Sequence, residues 1–326
     1  MPVGRLAVRS RAGRYWFSLL WAMVGLAIVA VIVALPGLRE QLAQSTHLIS
    51  PMAVLVTLPG QLLAFLLCAG ALSALRPGVS FRSSLASRVL RDAGGNLLVF
   101  FPGLGEAIGA RALVLSGGKT RAAITASTLD VLAEGIAQVP YALLAMVVLP
   151  QLLHPASVRF GSPPIVTVVA SLLGIALLIG GIAVRRAGPS RLIDRIRTEW
   201  AKVRSDWTTR RRGMLVAIML HFVAWSIGGF QLWAAARMLG IPLDLFPAIV
   251  IESAAYAVRA IIFFIPAGIA VQEGALVVAC AAFGIGTVPA LALALVLRLR
   301  DVICGLPLLY WPLLEYRHLA RSKARN

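Results

Sequence analysis

Apolar residues in this chain gather into unbroken runs; they neither alternate with polar ones nor recur every third or fourth position. Six runs, Trp16–Leu35, Met52–Leu75, Ala122–Pro150, Ile165–Val184, Met214–Leu239 and Val288–Leu314, are each 20 residues or longer. That is the length an α-helix needs to cross about 30 Å of hydrocarbon. Two further apolar regions are interrupted. Leu97–Phe101 is too short to span and leads into Phe100-Phe101-Pro102-Gly103-Leu104-Gly105-Glu106. Leu245–Gly286 contains the string Phe263-Phe264-Ile265-Pro266-Ala267-Gly268, followed by Gln272-Glu273-Gly274. Proline breaks the helical hydrogen-bond ladder, and hydrocarbon tolerates broken backbone only where protein or a water-filled cavity surrounds it. The pattern predicts an all-α integral membrane protein with about six full transmembrane helices and two re-entrant, broken-helix segments. Counting Leu245–Ile265 and Glu273–Gly286 as separate crossings gives eight helices instead.

Charge sets the orientation. Arg5, Arg9, Arg11 and Arg14 precede the first run, whose apolar part is too long, and lacks the small-residue cleavage site, for a signal peptide. The loop Pro36–Ser50 carries Arg39 offset by Glu40, which suits the outer side. After the second run, Arg76, Arg82, Arg88 and Arg91 alternate with Leu85, Val89 and Leu90, a basic amphipathic segment suited to the headgroup plane. Ten Lys or Arg lie within Arg185–Arg212 against Asp194, Glu199 and Asp206, and the tail holds Arg317, Arg321, Lys323 and Arg325. By the positive-inside rule both termini are cytoplasmic, and 185–213 is a basic cytoplasmic loop within one polytopic membrane domain, 1–326.

Composition agrees: 59% of the residues are apolar and 13% charged, against about 45–50% and about 25% in soluble proteins. The net charge of +18 would attract nucleic acid if the chain were soluble. Here it flanks apolar spans, so the expected partners are anionic lipid headgroups and not nucleic acid.

The two interruptions resemble each other. Each follows a spanning helix, breaks near Phe-Phe and Pro-x-Gly, carries a Glu soon after, and leads through a Gly turn to a helix bearing an acid, Asp130 or Asp301. Residues 51–150 and 214–314 are thus read as two halves of an inverted repeat, an arrangement that brings broken helices together at the bilayer midplane. Ionisable residues at that depth are candidates for a site. Asp130, Glu134 and Gln138 follow one another at i,i+4 on one helical face. They form either a satisfied polar seam or one wall of a polar cavity, the second being preferred because two carboxylates in hydrocarbon need partners or water. Glu252 and Arg259 share a face two turns apart, before the second break.

Little in the chain points to covalent chemistry. Cys68, Cys280 and Cys304 are far apart and read as small apolar residues, without a disulfide framework or zinc site. His47, His154, His221 and His318 form no metal motif, and no nucleophile–base set is evident. No cofactor is expected. An intramembrane enzyme using Asp130/Glu134 or Glu106/Glu273 as an acid–base pair is the weakest of the three readings considered.

Arg259, Phe264-Ile265-Pro266-Ala267-Gly268, Val271-Gln272-Glu273-Gly274, Phe283-Gly284, then Leu297-Arg298, Arg300-Asp301 and Gly305-Leu306-Pro307 resemble the lysylphosphatidylglycerol-synthase transmembrane, flippase-like family. The Val-Gln-Glu-Gly form is most similar to its hopanoid-associated HpnL branch. In the first half, Arg91-Asp92, Asn96-Leu97-Leu98, Gly105-Glu106, Asp130 and Glu134 resemble the family's N-terminal segment, with Val99 where the family has Pro and the proline displaced to Pro102. The resemblance implies a bacterial inner-membrane protein that translocates or handles a hopanoid, anionic or aminoacylated lipid, without the soluble aminoacyltransferase domain. The alternative is a non-catalytic accessory subunit of lipid biosynthesis, with a homo-oligomer or biosynthetic proteins as further partners. The expected substrate-binding residues are Arg91, Asn96, Glu106, Arg111, Asp130, Glu134, Glu252, Arg259, Pro266, Gly268, Gln272, Glu273, Arg298 and Asp301, the arginines suited to phosphate by their planar donor forks.

Overall fold

The computed structural model describes residues 36–75, 79–98, 101, 103–152, 205, 207–261 and 268–323, and these form helices and turns without a strand. The elements used below are α1 (Pro36–Leu48), α2 (Pro51–Leu55), α3 (Leu58–Leu75), α4 (Phe81–Leu97), α5 (Leu104–Leu115) and α6 (Thr120–Leu152). They continue with α7 (Arg211–Met238), α8 (Leu245–Ile261), α9 (Gly268–Ala282), α10 (Thr287–Gly305) and α11 (Trp311–Lys323). Expected spans Trp16–Leu35 and Ile165–Val184 lie outside the described residues, as do most of loop 185–213 and the break residues Phe100, Pro102 and Phe263–Ala267.

Three stretches are long and apolar enough to cross a membrane: Pro51–Leu75, Thr120–Leu149 and Arg211–Met238. Their outward side chains are apolar and exposed, Met146 by 69% and Leu215 by 59%, as a lipid-facing surface requires. This is a helical membrane protein.

Between helices in lipid the hydrophobic effect offers little, so close packing of small residues and polar bonds must hold them. The α3–α7 pair does this. A Cβ on Gly60 would sit 2.9 Å from Gln231 Cγ, one on Gly70 3.2 Å from Leu220 Cδ1, and one on Gly213 2.5 Å from the Ala74 carbonyl. The rising and falling numbers make the pair antiparallel. At the far end Gln231 Nε2 donates to the Thr57 carbonyl at 3.0 Å, where Thr57 leaves the ladder between α2 and α3.

Helices α4 and α5 form the tightest hairpin. A Cβ on Gly105 would meet the Arg91 carbonyl at 2.6 Å and Gly95 N at 2.7 Å, and one on Gly109 would meet Arg91 Cβ at 2.8 Å. Gly103 opens α5 at φ 76°, a conformation that a β-carbon disfavours. Helices α8 and α9 form the second packed pair. With 17 and 12 residues, α4 and α5 are shorter than the roughly 20 that a full crossing needs, and the described parts of α8 and α9 have 17 and 15. The first helix of each pair packs on a helix distant in sequence, α4 on α10 and α8 on α6.

Three expectations change. Pro36–Ser50 is not an open loop: its residues 36–48 form α1, with Ser45 fully buried, and α1 packs on α10. Leu, Glu, Gln and Ala after Gly37 are good helix formers, which outweighs the polar composition that suggested a loop. Val288–Leu314 is not one helix. It ends at Gly305, passes through a 3₁₀ turn at Leu306–Tyr310, and restarts as α11, because Pro307 and Pro312 each remove a ladder donor. Nor does the basic segment Phe81–Asp92 turn all its arginines to headgroups: Arg82 is exposed, but Arg88 and Arg91 face inward. Arg88 is 7% exposed, drawn inward by carboxylates on α6.

Candidate functional site

Helices α3 to α10 all contribute residues to the lining of a cavity of about 320 Å³. Five arginines (Arg88, Arg91, Arg259, Arg298, Arg300) and six carboxylates (Asp92, Glu106, Glu134, Glu252, Glu273, Asp301) line it. Such a concentration of charge within an apolar protein has to be neutralised locally, since each isolated ion would carry a large desolvation cost.

On the α4–α6 side the neutralisation is dense. Arg88 grips Glu134 with both terminal nitrogens, at 2.8 and 3.1 Å, and its Nε donates to Asp92 at 3.0 Å, one helical turn on. Arg91 Nη2 lies 2.8 Å from Glu134 Oε2, the oxygen that also accepts from Arg88 Nη1, and Arg91 reaches Asp130 at 3.3 Å and Glu106 at 3.5 Å. Glu134 thus serves two guanidiniums from one helix face. Asp130 lies behind the cavity wall, 2% exposed, and its second oxygen meets His221 Nε2 at 2.9 Å. The i,i+4 spacing that aligned Asp130, Glu134 and Gln138 in sequence has this consequence. Gln138, one turn further, donates to the Tyr256 carbonyl on α8 at 3.2 Å.

The α9–α10 side is looser. Arg298 Nε donates to Glu273 at 2.8 Å and its Nη1 to Asp301 at 3.4 Å. Arg300 binds Asp301 at 2.8 Å and donates to Gln231 Oε1 at 2.7 Å, linking α10 through Gln231 to Thr57. Arg298 and Glu273 keep 23% and 33% of their side-chain surface exposed.

On α8 two charges lack an opposite partner. Among the described residues Arg259 bonds only the neutral Asn96 amide, at 3.1 Å, and no carboxylate lies within ion-pair distance. Glu252 is 3% exposed, and its Oε2 has no hydrogen-bond partner. Gln272 Oε1 and Arg91 Nε are likewise buried and unpartnered, so three of the five orphaned polar atoms belong to residues lining this cavity. Unpartnered buried polar atoms are uncommon in native proteins and each asks for a partner. Tyr256 stands beside them, edge-on to Trp225 with ring centroids 4.2 Å apart.

Eleven of the fourteen expected site residues are in or directly behind this cavity. Arg111 is not: it pairs with Glu315 of α11 at 2.9 and 2.7 Å. Sequence order could not bring in that partner from 204 positions away. Gly268 begins α9, and Pro266 is outside the described residues. Arg88, Asp92, Gln231, Tyr256 and Arg300 were not among the expected residues. Arg88 and Asp92 carried a signal, three before and one after Arg91, since ionisable residues sharing a helix face at membrane depth act together. Gln231 and Tyr256 are single polar positions in apolar runs and carried none.

Among the described residues no group of His, Cys, Asp and Glu is arranged to hold a metal ion. The family model described as lysylphosphatidylglycerol synthase TM region matches residues 19–308, and the chain belongs to that family. No curated protein and no solved structure matches the chain significantly.

Proposed function

For a chain of this family, we propose that the protein handles a membrane lipid by drawing its polar headgroup into the cavity while the tails stay in hydrocarbon, and so carries it between leaflets. One observation supports this above the rest. The cavity holds an unneutralised guanidinium, Arg259, and an unsatisfied carboxylate oxygen, Glu252 Oε2, on a single short helix. A headgroup with a phosphate and a hydroxyl or ammonium donor would complete both, the planar guanidinium matching phosphate oxygens. Hopanoid-linked and aminoacylated lipids are the candidate cargoes, and the bacterial inner membrane is the setting, with both termini cytoplasmic.

The two short helix pairs are read as re-entrant hairpins entering from opposite faces, related as an inverted repeat. The common order of elements in the two halves, and the crossed packing of α4 on α10 and α8 on α6, support that reading. Rocking one half against the other would expose the cavity to each leaflet in turn. No covalent change in the lipid is needed.

Full-length protein in liposomes containing a headgroup-labelled phospholipid tests the reading. The expected result is faster exchange of label between leaflets with no change in lipid mass. A changed mass would make the chain an enzyme. Neither exchange nor mass change would leave an accessory subunit of lipid biosynthesis.

A further inference from the structure

Behind the α4–α6 arginines lies an arrangement that nothing in lipid carriage requires. His221 of α7 is fully buried. Its Nε2 is 2.9 Å from Asp130 Oδ1 on α6, and its Nδ1 is 3.4 Å from Cys68 Sγ on α3. Cys68 lines the cavity, as does Arg88. An imidazole whose one nitrogen donates to a carboxylate is fixed in the tautomer whose other nitrogen accepts. That nitrogen faces a thiol. This is the nucleophile–base–orienting-acid logic by which cysteine becomes a thiolate, assembled from three helices and from residues 68, 130 and 221.

We propose that Cys68 is an activated thiol and a covalent modification site, open to small, uncharged soft electrophiles that enter the cavity, hydrogen peroxide among them. Catalytic turnover of an ester is not supported by the same geometry. Cys68 sits in the interior of α3, Leu58–Leu75, where the surrounding backbone N–H groups are committed to the helix ladder, so no pair of amides is free to stabilise an oxyanion. The site is therefore stoichiometric. Exposure points the same way, because Cys68 is only 5% exposed and large or charged reagents are excluded.

The oxidation balances without any further co-reactant. His221 Nδ1 accepts the thiol proton. The Cys68 thiolate attacks one peroxide oxygen, forming the S–O bond as the O–O bond breaks. The departing hydroxide takes the proton from His221 and leaves as water. The sulfur loses two electrons, the peroxide gains them, and the product is a sulfenic acid, which thiol reductants reverse. The added oxygen displaces Cys68 from His221 and intrudes on the cavity beside Arg88, so lipid handling stops until the sulfur is reduced.

The experiment uses full-length protein in liposomes, hydrogen peroxide as probe, denaturation into a dione trap so that every sulfenic acid becomes accessible to it, and mass spectrometry of each cysteine. The other two cysteines are internal controls. Cys280 is buried and makes no hydrogen bond to an imidazole among the described residues, and Cys304 is more exposed than Cys68. Cys68 is expected to be trapped about tenfold faster than Cys304 despite its lower exposure, because thiolate character and not access governs the rate. His221→Gln is expected to remove that advantage. Equal or faster trapping of Cys304 in the wild-type protein would overturn the proposal, as would an unchanged Cys68 rate in a folded His221→Gln variant. The wild-type comparison stands even if that variant does not fold, and neither readout depends on which lipid is carried.

Discussion

Two regions of the molecule, α4–α6 and α9–α10, place the same chemistry, arginines against carboxylates, on the walls of one cavity, and they use it differently. On the α4–α6 wall Arg88 and Arg91 share Glu134, and Asp92, Asp130 and Glu106 take further donors, with Arg91 Nε left unpartnered. Arg88 and Glu134 are 8% and 14% exposed in their side chains. On the α9–α10 wall Arg298 holds Glu273 through one close contact and is about three times as exposed as Arg88, at 23%. Two guanidiniums that share one buried carboxylate cannot release it without stranding a charge, whereas the wetter Arg298–Glu273 pair can exchange its partner for a ligand, Asp301 still facing Arg298 at 3.4 Å. The Arg88–Arg91–Glu134 cluster is therefore a lock that fixes α4 to α6, and Arg298–Glu273 is the pair at which a headgroup can compete, Arg300–Asp301 beside it being as dry as the lock.

The lock should fail first. Glu134→Gln leaves two buried guanidiniums without their shared carboxylate, and breaking a buried pair in this way costs about 3–5 kcal/mol. Folded protein recovered from membranes, or the thermal midpoint in detergent, should drop accordingly. A near-neutral result would move Glu134 out of the lock. Gly105→Ala comes next. Its methyl would press on the Arg91 carbonyl at 2.6 Å, backbone that cannot swing aside, and overpacking of this kind costs about 1–3 kcal/mol. The same denaturation measurement tests it, with Gly95→Ala as control because a Cβ there meets nothing within 4 Å.

Glu273→Ala should do the opposite of Glu134→Gln. The pair is partly exposed, so its loss costs stability less than about 1 kcal/mol, yet lipid handling should cease. Normal lipid distribution in cells carrying Glu273→Ala would remove that residue from the site. The smallest effect belongs to Arg111 and Glu315, outside both walls. The hydrogen bond from Arg111 holds the Glu315 carboxyl below its usual range. A carboxylate with a lowered native pKa stabilises the fold above its unfolded value, near pH 4.3, and loses that contribution as pH falls. For a pair this exposed the gain is under about 1 kcal/mol. Glu315→Gln should therefore narrow the difference in thermal midpoint between pH 7 and pH 4, and an unchanged difference would show the bond to be idle.

What could be read from sequence follows the physics of hydrocarbon. A run such as Met214–Leu239 has one outcome in a bilayer, and α7 appears at Arg211–Met238. The acids at Asp130 and Glu134 announced themselves because charge at that depth is costly, and the fixed helical period put them on one face. Partners contributed by other helices were illegible. Nothing in α4 says that Arg88 meets α6 and not headgroups, and nothing near Cys68 points to His221, 153 positions away. Local composition also misled at Pro36–Ser50, where the structure has α1 packed on α10.

The central claim is that Arg259 and Glu252 wait for a headgroup, and lipid retained by purified protein tests it most directly. Native mass spectrometry of gently solubilised wild-type protein should find a bound phosphate-bearing lipid. Arg259→Gln should reduce that occupancy about tenfold, the equivalent of about 1.4 kcal/mol, with the thermal midpoint unchanged. Equal occupancy in wild type and Arg259→Gln would contradict the account.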